Sequence, residues 1–257
     1  MTIRTMLFAV LSLSLCLGCQ PADTTTTTSA PEAAPAATDA PVAVSNFYEI
    51  TTPQGRMVIR LYDETPGHRD NFAKLVAEEF FDGTTFHRVI DQFMIQGGDP
   101  NSKDDNLDND GQGGPGYTIP AEFDSTLFHK RGALSAARQG DMFNPERESS
   151  GSQFYIVEGR PLTEEELTMR EQQVKEALND PTFTFSEEAK QVYMTEGGTP
   201  FLDMQYTVFG ELVEGFDVLD AISAVPVQGR GSRPLTDVPM TIRALENYTP
   251  PSSEAGN

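Results

Sequence analysis

Residues 47 to 62 alternate between apolar and polar side chains. Phe47 to Thr52 is followed by a turn at Pro53-Gln54-Gly55 and then by Arg56 to Tyr62, with Met57, Ile59 and Leu61 set against polar neighbours. A period of two on both sides of a short turn predicts a β-hairpin. The period then lengthens. Thr65 offers an N-cap with Pro66 at the first helical position, and Phe72, Leu75, Val76 and Phe80 recur at helical spacing until Asp82-Gly83 ends the run. Strand-like alternation returns at 84–90 and 93–97, at Phe154 to Glu158 and at Met240 to Leu245, while Phe216, Leu219 and Ile222 predict a second, shorter helix. Many short strands with two helices predict a mainly β domain, a closed antiparallel barrel.

One segment breaks this plan. Between the strand at Phe154 and the residues after 200, Thr163-Glu164-Glu165-Glu166 has the form of a capping box, and Leu167, Val174, Ala177 and Leu178 make a narrow apolar face up to Asn179-Asp180-Pro181. Ser186 caps a second helix that ends near Gly197-Gly198. Residues 160–199 carry nine acidic side chains and four basic ones, so most of this helical insertion is expected to face water while one face packs on the barrel. A partner-binding or substrate-selecting role is the alternative.

The amino terminus has no place in the fold. Arg4 precedes an apolar run from Met6 to Leu17 that is short for a bilayer span, and Gly18-Cys19 closes it. The segment resembles a bacterial lipoprotein signal peptide over residues 1–18. Cys19 would then receive a diacylglyceryl thioether and become the acylated, palmitate-bearing first residue. The resemblance is imperfect: Cys16 stands three residues earlier, where leucine is usual, and an ordinary secretory signal is the other reading. Residues 19–45, rich in Thr, Ala and Pro, contain nothing large enough to bury and predict a disordered tether reaching a few nanometres. The folded domain is expected at 46–248, with a flexible tail at 249–257. If Cys19 is acylated and Cys16 removed, no thiol is left for a disulfide. Gln20 after the cysteine is not the aspartate that retains many lipoproteins at the inner membrane, which favours the outer one. The expected location is thus the cell envelope, with the domain on the periplasmic side and the membrane reached through the lipid. The 257 residues include 18 Lys and Arg against 39 Asp and Glu, a net charge of −21. Such a chain repels phosphate backbones, so nucleic acid is excluded as a partner; a monomer is expected.

The chemistry concentrates in Phe86-His87-Arg88-Val89-Ile90-Asp91-Gln92-Phe93-Met94-Ile95-Gln96-Gly97-Gly98-Asp99. An arginine and a glutamine sit there among apolar residues at strand spacing. If the two strands are adjacent, Arg88, Phe93, Met94 and Gln96 gather on one surface as an apolar cup with a guanidinium at its lip, suited to an uncharged apolar group carrying an amide. Hydrolytic chemistry is not indicated. His68, His87 and His129 have no metal-ligand spacing, His87 reads as a structural hydrogen-bonding residue, and Gly151-Ser152-Gln153 lacks the form of a nucleophile elbow. Asn106 to Gly111 begins like a calcium loop, yet the twelfth position is Tyr117 where a bidentate glutamate is needed, so it reads as a solvated acidic loop. No metal or cofactor is called for.

Together with Gly132 to Ala137, Gly151 to Ile156, Phe201 to Gly210 and Gly-Gly-Pro-Gly-Tyr at 113–117, the 86–99 segment resembles the cyclophilin-type peptidyl-prolyl cis-trans isomerases, in order, over roughly 46–246. The resemblance implies an eight-stranded barrel with a helix over each open end. It also implies rotation of Xaa-Pro bonds without a covalent step; with the amino-terminal signal, the substrates are expected to be exported polypeptides that fold in the envelope. Arg88 would be catalytic and Gln96 would fix the substrate backbone. Phe93, Met94, Tyr155 and Leu202 would form the proline pocket. Ala137 and Arg138 would line the groove with Gln153 nearby, Gly111 would flank it, and Phe201 and Tyr206 would stand on the rim. Three positions depart from many members: Phe201 for tryptophan, Tyr206 for histidine and Tyr155 for phenylalanine. The Tyr155 hydroxyl raises the question of pocket depth. A non-catalytic chaperone or proline-peptide-binding module using the same cup is the competing reading.

Overall fold

The structure, a computed structural model, describes residues 46–229 and 231–250. The signal segment, Cys16, Cys19 and the tether lie outside the described residues, as does the tail from 251. Twelve strands occur in chain order: β1 (Phe47–Thr52), β2 (Gly55–Leu61), β3 (Arg88–Ile90), β4 (Met94–Gly97), β5 (Thr118–Ile119), β6 (Ala133–Ala136), β7 (Ser149–Ser150), β8 (Phe154–Val157), β9 (Val208–Glu214), β10 (Val227–Gln228), β11 (Arg233–Pro234) and β12 (Thr241–Ala244). Eight of them form one antiparallel sheet in the order β12-β1-β2-β9-β6-β8-β4-β3, and two short pairs, β5 with β7 and β10 with β11, stand apart.

The sheet curls into a half-barrel, and its ladder is open between β12 and β3 where the resemblance implies closure. The reason is local. Just ahead of these strands the chain makes backbone hydrogen bonds outside any ladder: Gly83 N donates to Met240 O (3.0 Å), Met240 N to Thr84 O (2.9 Å) and Phe86 N to Val238 O (3.0 Å). Thr85 and Pro239 form an isolated bridge there, and beyond it the outer edge of the strand takes another partner, Val89 N donating to Ser232 O (2.9 Å), so the pairing with 238–240 does not run on into β3. β3 starts at Arg88 and not at 84, because its ladder partner β4 ends at Gly97 and Gly98 turns in the left-handed conformation.

Four helices accompany the sheet: α1 (Pro66–Ala77), α2 (Glu164–Leu178), α3 (Glu187–Thr195) and α4 (Phe216–Ser223). The main core lies inside the curled sheet and includes Ile50, Met57, Ile59, Phe86, Ile95 and Ile156, closed by Phe72 and Leu75 of α1 and Leu219 and Ile222 of α4. Phe216 points outward, 38 % exposed, beneath the Arg131 guanidinium. Thr65 precedes α1 as the pattern predicts, but its side chain caps nothing. The cap comes from far along the chain: Glu122 accepts from the backbone N–H groups of Gly67 and His68, both at 3.0 Å, and from His68 Nδ1 at 2.6 Å.

The insertion forms as its caps dictate. The Thr163/Glu166 capping box opens α2, Asn179 closes it in the left-handed conformation, and Ser186 caps α3. Its apolar side is wider than the α2 pattern alone suggests, because Phe185, Ala189 and Tyr193 join Leu162, Leu167 and Val174 in a separate small core; Ala177 is turned to solvent. At the neck, an isolated antiparallel bridge pairs Arg160 with Gly198, and another pairs Lys130 with Gly198. A side chain on Gly198 would meet the His129 carbonyl oxygen at 2.3 Å, so only glycine permits this approach.

Replacing Glu122 with alanine strands two N–H groups of α1, and the loss of such a cap costs about 1–2 kcal/mol. A fall in melting temperature of roughly 2–6 °C is expected by calorimetry, with Glu122→Gln losing less. An unchanged melting temperature in Glu122→Ala would show that α1 needs no cap from this residue.

Candidate functional site

The central strands are covered on both faces, by different partners. On β4, Ile95 enters the main core while Met94 lies on the opposite face; on β8, Phe154 and Ile156 enter the core while Tyr155 and Val157 do not. The outward residues form a second apolar cluster with Ala133, Ala137 and Val208, against which Phe93, Leu202 and Tyr206 are partly buried. A strand buried on both sides reads as a nearly continuous apolar run, and that run conceals a cavity of about 370 Å³ on the outer face.

Register places the polar groups. Arg88 on β3 stands opposite Gln96 on β4, Gln96 opposite Tyr155 on β8, and Tyr155 opposite Ser135 on β6. Directly opposed residues share a face, so guanidinium, amide and phenol fall in one row. Arg88 Nη1 donates to Gln96 Oε1 (3.1 Å), Gln96 Nε2 to Gln153 Oε1 (3.1 Å), and Gln153 Nε2 to the Gly113 carbonyl (2.8 Å). Each glutamine turns its oxygen toward Arg88 and its nitrogen away, so the guanidinium meets only a neutral acceptor. Burial pulls the Arg88 pKa down, yet a guanidinium remains charged in a protein.

Of the residues singled out by sequence, Arg88, Phe93, Met94, Gln96, Gly111, Ala137, Arg138, Tyr155, Leu202 and Tyr206 line this cavity. Gln153 lies in an adjoining groove of about 990 Å³ that shares Gln96, Gly111, Ala137 and Arg138 with it and extends to Tyr117 and Phe143. Phe201 lines neither space. Its ring packs on Phe93, with centroids 5.6 Å apart, and is covered by the Arg170 guanidinium of α2 at 5.1 Å, so the insertion reaches the rim. Arg138 is a brace and not a free donor: it donates through Nε to the Gln205 carbonyl (2.8 Å) and through Nη1 to Asp141 Oδ1 (2.6 Å), and stacks 4.5 Å over the Tyr206 ring. The Tyr155 hydroxyl meets His129 Nε2 at 2.9 Å, and His129 does not line the cavity.

Sequence reasoning missed five lining residues: His87, Leu107, Asp110, Gly231 and Arg233. Arg233 arrives from β11, held beside β3 by the hydrogen bond from Val89 N to Ser232 O (2.9 Å), and forms an ion pair with Asp110. The acidic side chains of the loop are therefore solvated at 104, 105 and 108, whereas the Asp110 carboxylate is turned in to Arg233. Asp99, fully buried, fixes the loop that follows: it accepts from Asn101 N (2.8 Å) and Gly113 N (3.2 Å), and a Cβ on Gly113 would fall 2.2 Å from Asp99 Oδ1. His87 is buried at the cavity wall, beside the Thr85 backbone.

Comparison with known proteins gives a consistent result. A family model described as cyclophilin type peptidyl-prolyl cis-trans isomerase/CLD matches residues 47–245. A protein of Staphylococcus saprophyticus subsp. saprophyticus named as a peptidyl-prolyl cis-trans isomerase is 36% identical over 199 residues, which is 76% of this chain and 88% of that protein. A protein of Streptococcus pyogenes serotype M6, named as a bifunctional phosphatase/peptidyl-prolyl cis-trans isomerase, is 38% identical over 74% of this chain but only 36% of its own length. Among solved structures, a Cryptosporidium parvum cyclophilin type isomerase, crystallised in the presence of the dipeptide Ala-Pro, shares the fold. Its TM-score is 0.56 at 24% identity, over 78% of this chain and 99% of that one.

Burial pushes the His87 pKa down from 6.5 to about 4, against the opposing pull of Asp99. The folded protein thus binds fewer protons at this ring than the unfolded one, so the stability His87 contributes is full above its unfolded pKa and is lost as pH falls from 6.5 toward about 4. Imidazole signals followed by NMR should give a His87 midpoint near about 4. A midpoint near the ordinary histidine value would show the ring to be open to water.

Proposed function

Since the chain belongs to the cyclophilin-type peptidyl-prolyl cis-trans isomerase family, its activity is the rotation of Xaa-Pro peptide bonds, and we propose that Arg88 drives that rotation in exported polypeptides of a bacterial cell envelope. The barrier is the amide resonance itself, about 18–20 kcal/mol. A donor aimed at the proline nitrogen holds the lone pair there and out of the carbonyl, which favours the twisted geometry. No bond is made and no side chain needs to change protonation.

The observation that carries this reading is the state of Arg88. Its guanidinium lies at the lip of an apolar cavity, bonded to a neutral glutamine and to no carboxylate of a described residue. The proline ring would rest against Phe93, Met94, Tyr155 and Leu202. Gln96 keeps a second amide N–H for the substrate backbone, and Gln153 with Gly111 would hold the chain entering from the adjoining groove. Ala137 contributes a small side chain only, because its N–H goes to Gln153 O and its carbonyl accepts from Ser150 N. Phe201 and Tyr206 frame the rim. The closed barrel belongs to the same reading, supported by the backbone hydrogen bonds between 83–86 and 238–240. So does the anchor: no helix among the described residues is long and apolar enough to cross a membrane, and Cys19 follows the one apolar run of suitable form.

Arg88→Ala should cut turnover roughly 10²–10³-fold in a protease-coupled isomerisation assay, the effect of losing one preorganised charged donor. Peptide binding should fall less. Near-normal turnover in a folded Arg88→Ala variant would leave the peptide-binding module as the better account.

Cys19→Ser should move the protein from the membrane fraction to the soluble one, because the acyl chains supply the attachment. Wild-type protein found unlipidated, or lipid found on Cys16, would refute the anchor.

A further inference from the structure

A row of buried polar groups joins the helical insertion to the floor of the cavity. Tyr193 of α3 has no exposed surface and donates its hydroxyl to Asp203 Oδ2 at 2.6 Å. The other carboxylate oxygen, Oδ1, accepts from the His129 backbone N–H at 2.9 Å and lies 2.8 Å from His129 Nδ1. On the far side of the ring, Nε2 lies 2.9 Å from the Tyr155 hydroxyl. A carboxylate only accepts, so the Nδ1 proton points at Asp203, and in the neutral imidazole the Tyr155 hydroxyl donates to Nε2. Burial pushes both phenols well above their ordinary range, which keeps them protonated donors. Every member of the row is at least nine-tenths buried.

Each link also fixes a ring. Tyr193 packs edge-on against Phe128 and Phe185, which locks it into the insertion core. His129 lies nearly parallel to Tyr155, at 11°, and Tyr155 meets Tyr206 edge-on with centroids 6.0 Å apart. Both Tyr155 and Tyr206 line the cavity. The tyrosine that stands where phenylalanine is common therefore takes no depth from the pocket; its hydroxyl is the handle by which the ring is held.

We propose that Tyr193 is a positioning residue for the isomerase, setting the Tyr155 ring through Asp203 and His129, so that the insertion controls the floor of the proline pocket without touching substrate. This rests on the assignment of the cavity as the proline site. The geometry explains why the insertion is built around a tyrosine at its centre: phenylalanine would fill the same apolar space but leave Asp203 Oδ2 without its donor. Buried polar networks are the setting in which removal of one member is felt at another.

The test is a double-mutant cycle in the full chain, with kcat and KM measured separately on a proline peptide well below the melting temperature. Tyr193→Phe and Tyr155→Phe should each lower kcat/KM by roughly three- to tenfold, mainly through KM, and the double variant should be no worse than the poorer single one. Val174→Ala serves as the control: it loosens the same insertion core from α2 and removes no ring that packs on Tyr193, so it should lower the melting temperature and leave KM unchanged. Wild-type kinetics in Tyr193→Phe, multiplying losses in the double variant, or an equal KM rise in Val174→Ala would each overturn the proposal. Inactive wild-type protein would instead refute the assignment of the site.

Discussion

The site depends on one guanidinium kept charged on an apolar sheet face. A cation half out of water loses hydration that must be replaced, and a carboxylate is the simplest replacement. The chain has 39 acidic residues to supply one. Elsewhere it does so: among the described lysines and arginines, only Arg88, Lys103 and Arg170 lack an ion-pair partner. Around Arg88 the replacement is neutral. Gln96, Gln153 and the Gly113 carbonyl pass the hydrogen bonding outward, and Asp99 holds Gly113 in place from below. An ion pair would satisfy the guanidinium better and leave less field for a substrate amide.

Much of this was legible in the chain because it depends on short-range periodicity. The hairpin, α1, α4 and both insertion helices follow from spacing and caps, and the gathering of Arg88, Phe93, Met94 and Gln96 follows from two strands and a turn. What was not legible depends on contacts between distant segments. No local signal tells that Glu122 caps α1, that Arg233 folds back beside β3, or that residues 129, 155, 193 and 203 meet; their spacing has no period. The ladder opening is also of this kind, since it depends on Ser232 taking the outer edge of β3 at Val89. Phe201 shows the limit of position alone: it lines neither space, and its ring is packed between Phe93 and the Arg170 guanidinium.

The two faces of the central sheet divide the labour between stability and chemistry. Inward residues of β4, β6 and β8 belong to one core, outward residues to the cluster that floors the cavity, and a slip of one residue in register would exchange them. Pocket residues are therefore constrained twice, by what they offer a peptide and by what their neighbours require of the sheet. Cysteine takes no part: the chain's two, Cys16 and Cys19, both precede the described residues, so the described fold is held without a disulfide.

The neck of the insertion has an evolutionary consequence. Arg160 and Gly198 face each other across a single antiparallel bridge, so the chain departs from the half-barrel and returns to it at one point. For the sheet this excursion has almost no span, and loop entropy grows only slowly with the length enclosed. The position is a port at which segments of different length can be exchanged during descent without rerouting a strand. The port carries one condition: whatever replaces the present helices must offer Asp203 a hydrogen-bond donor, or it leaves a buried carboxylate oxygen unpaired beneath the site.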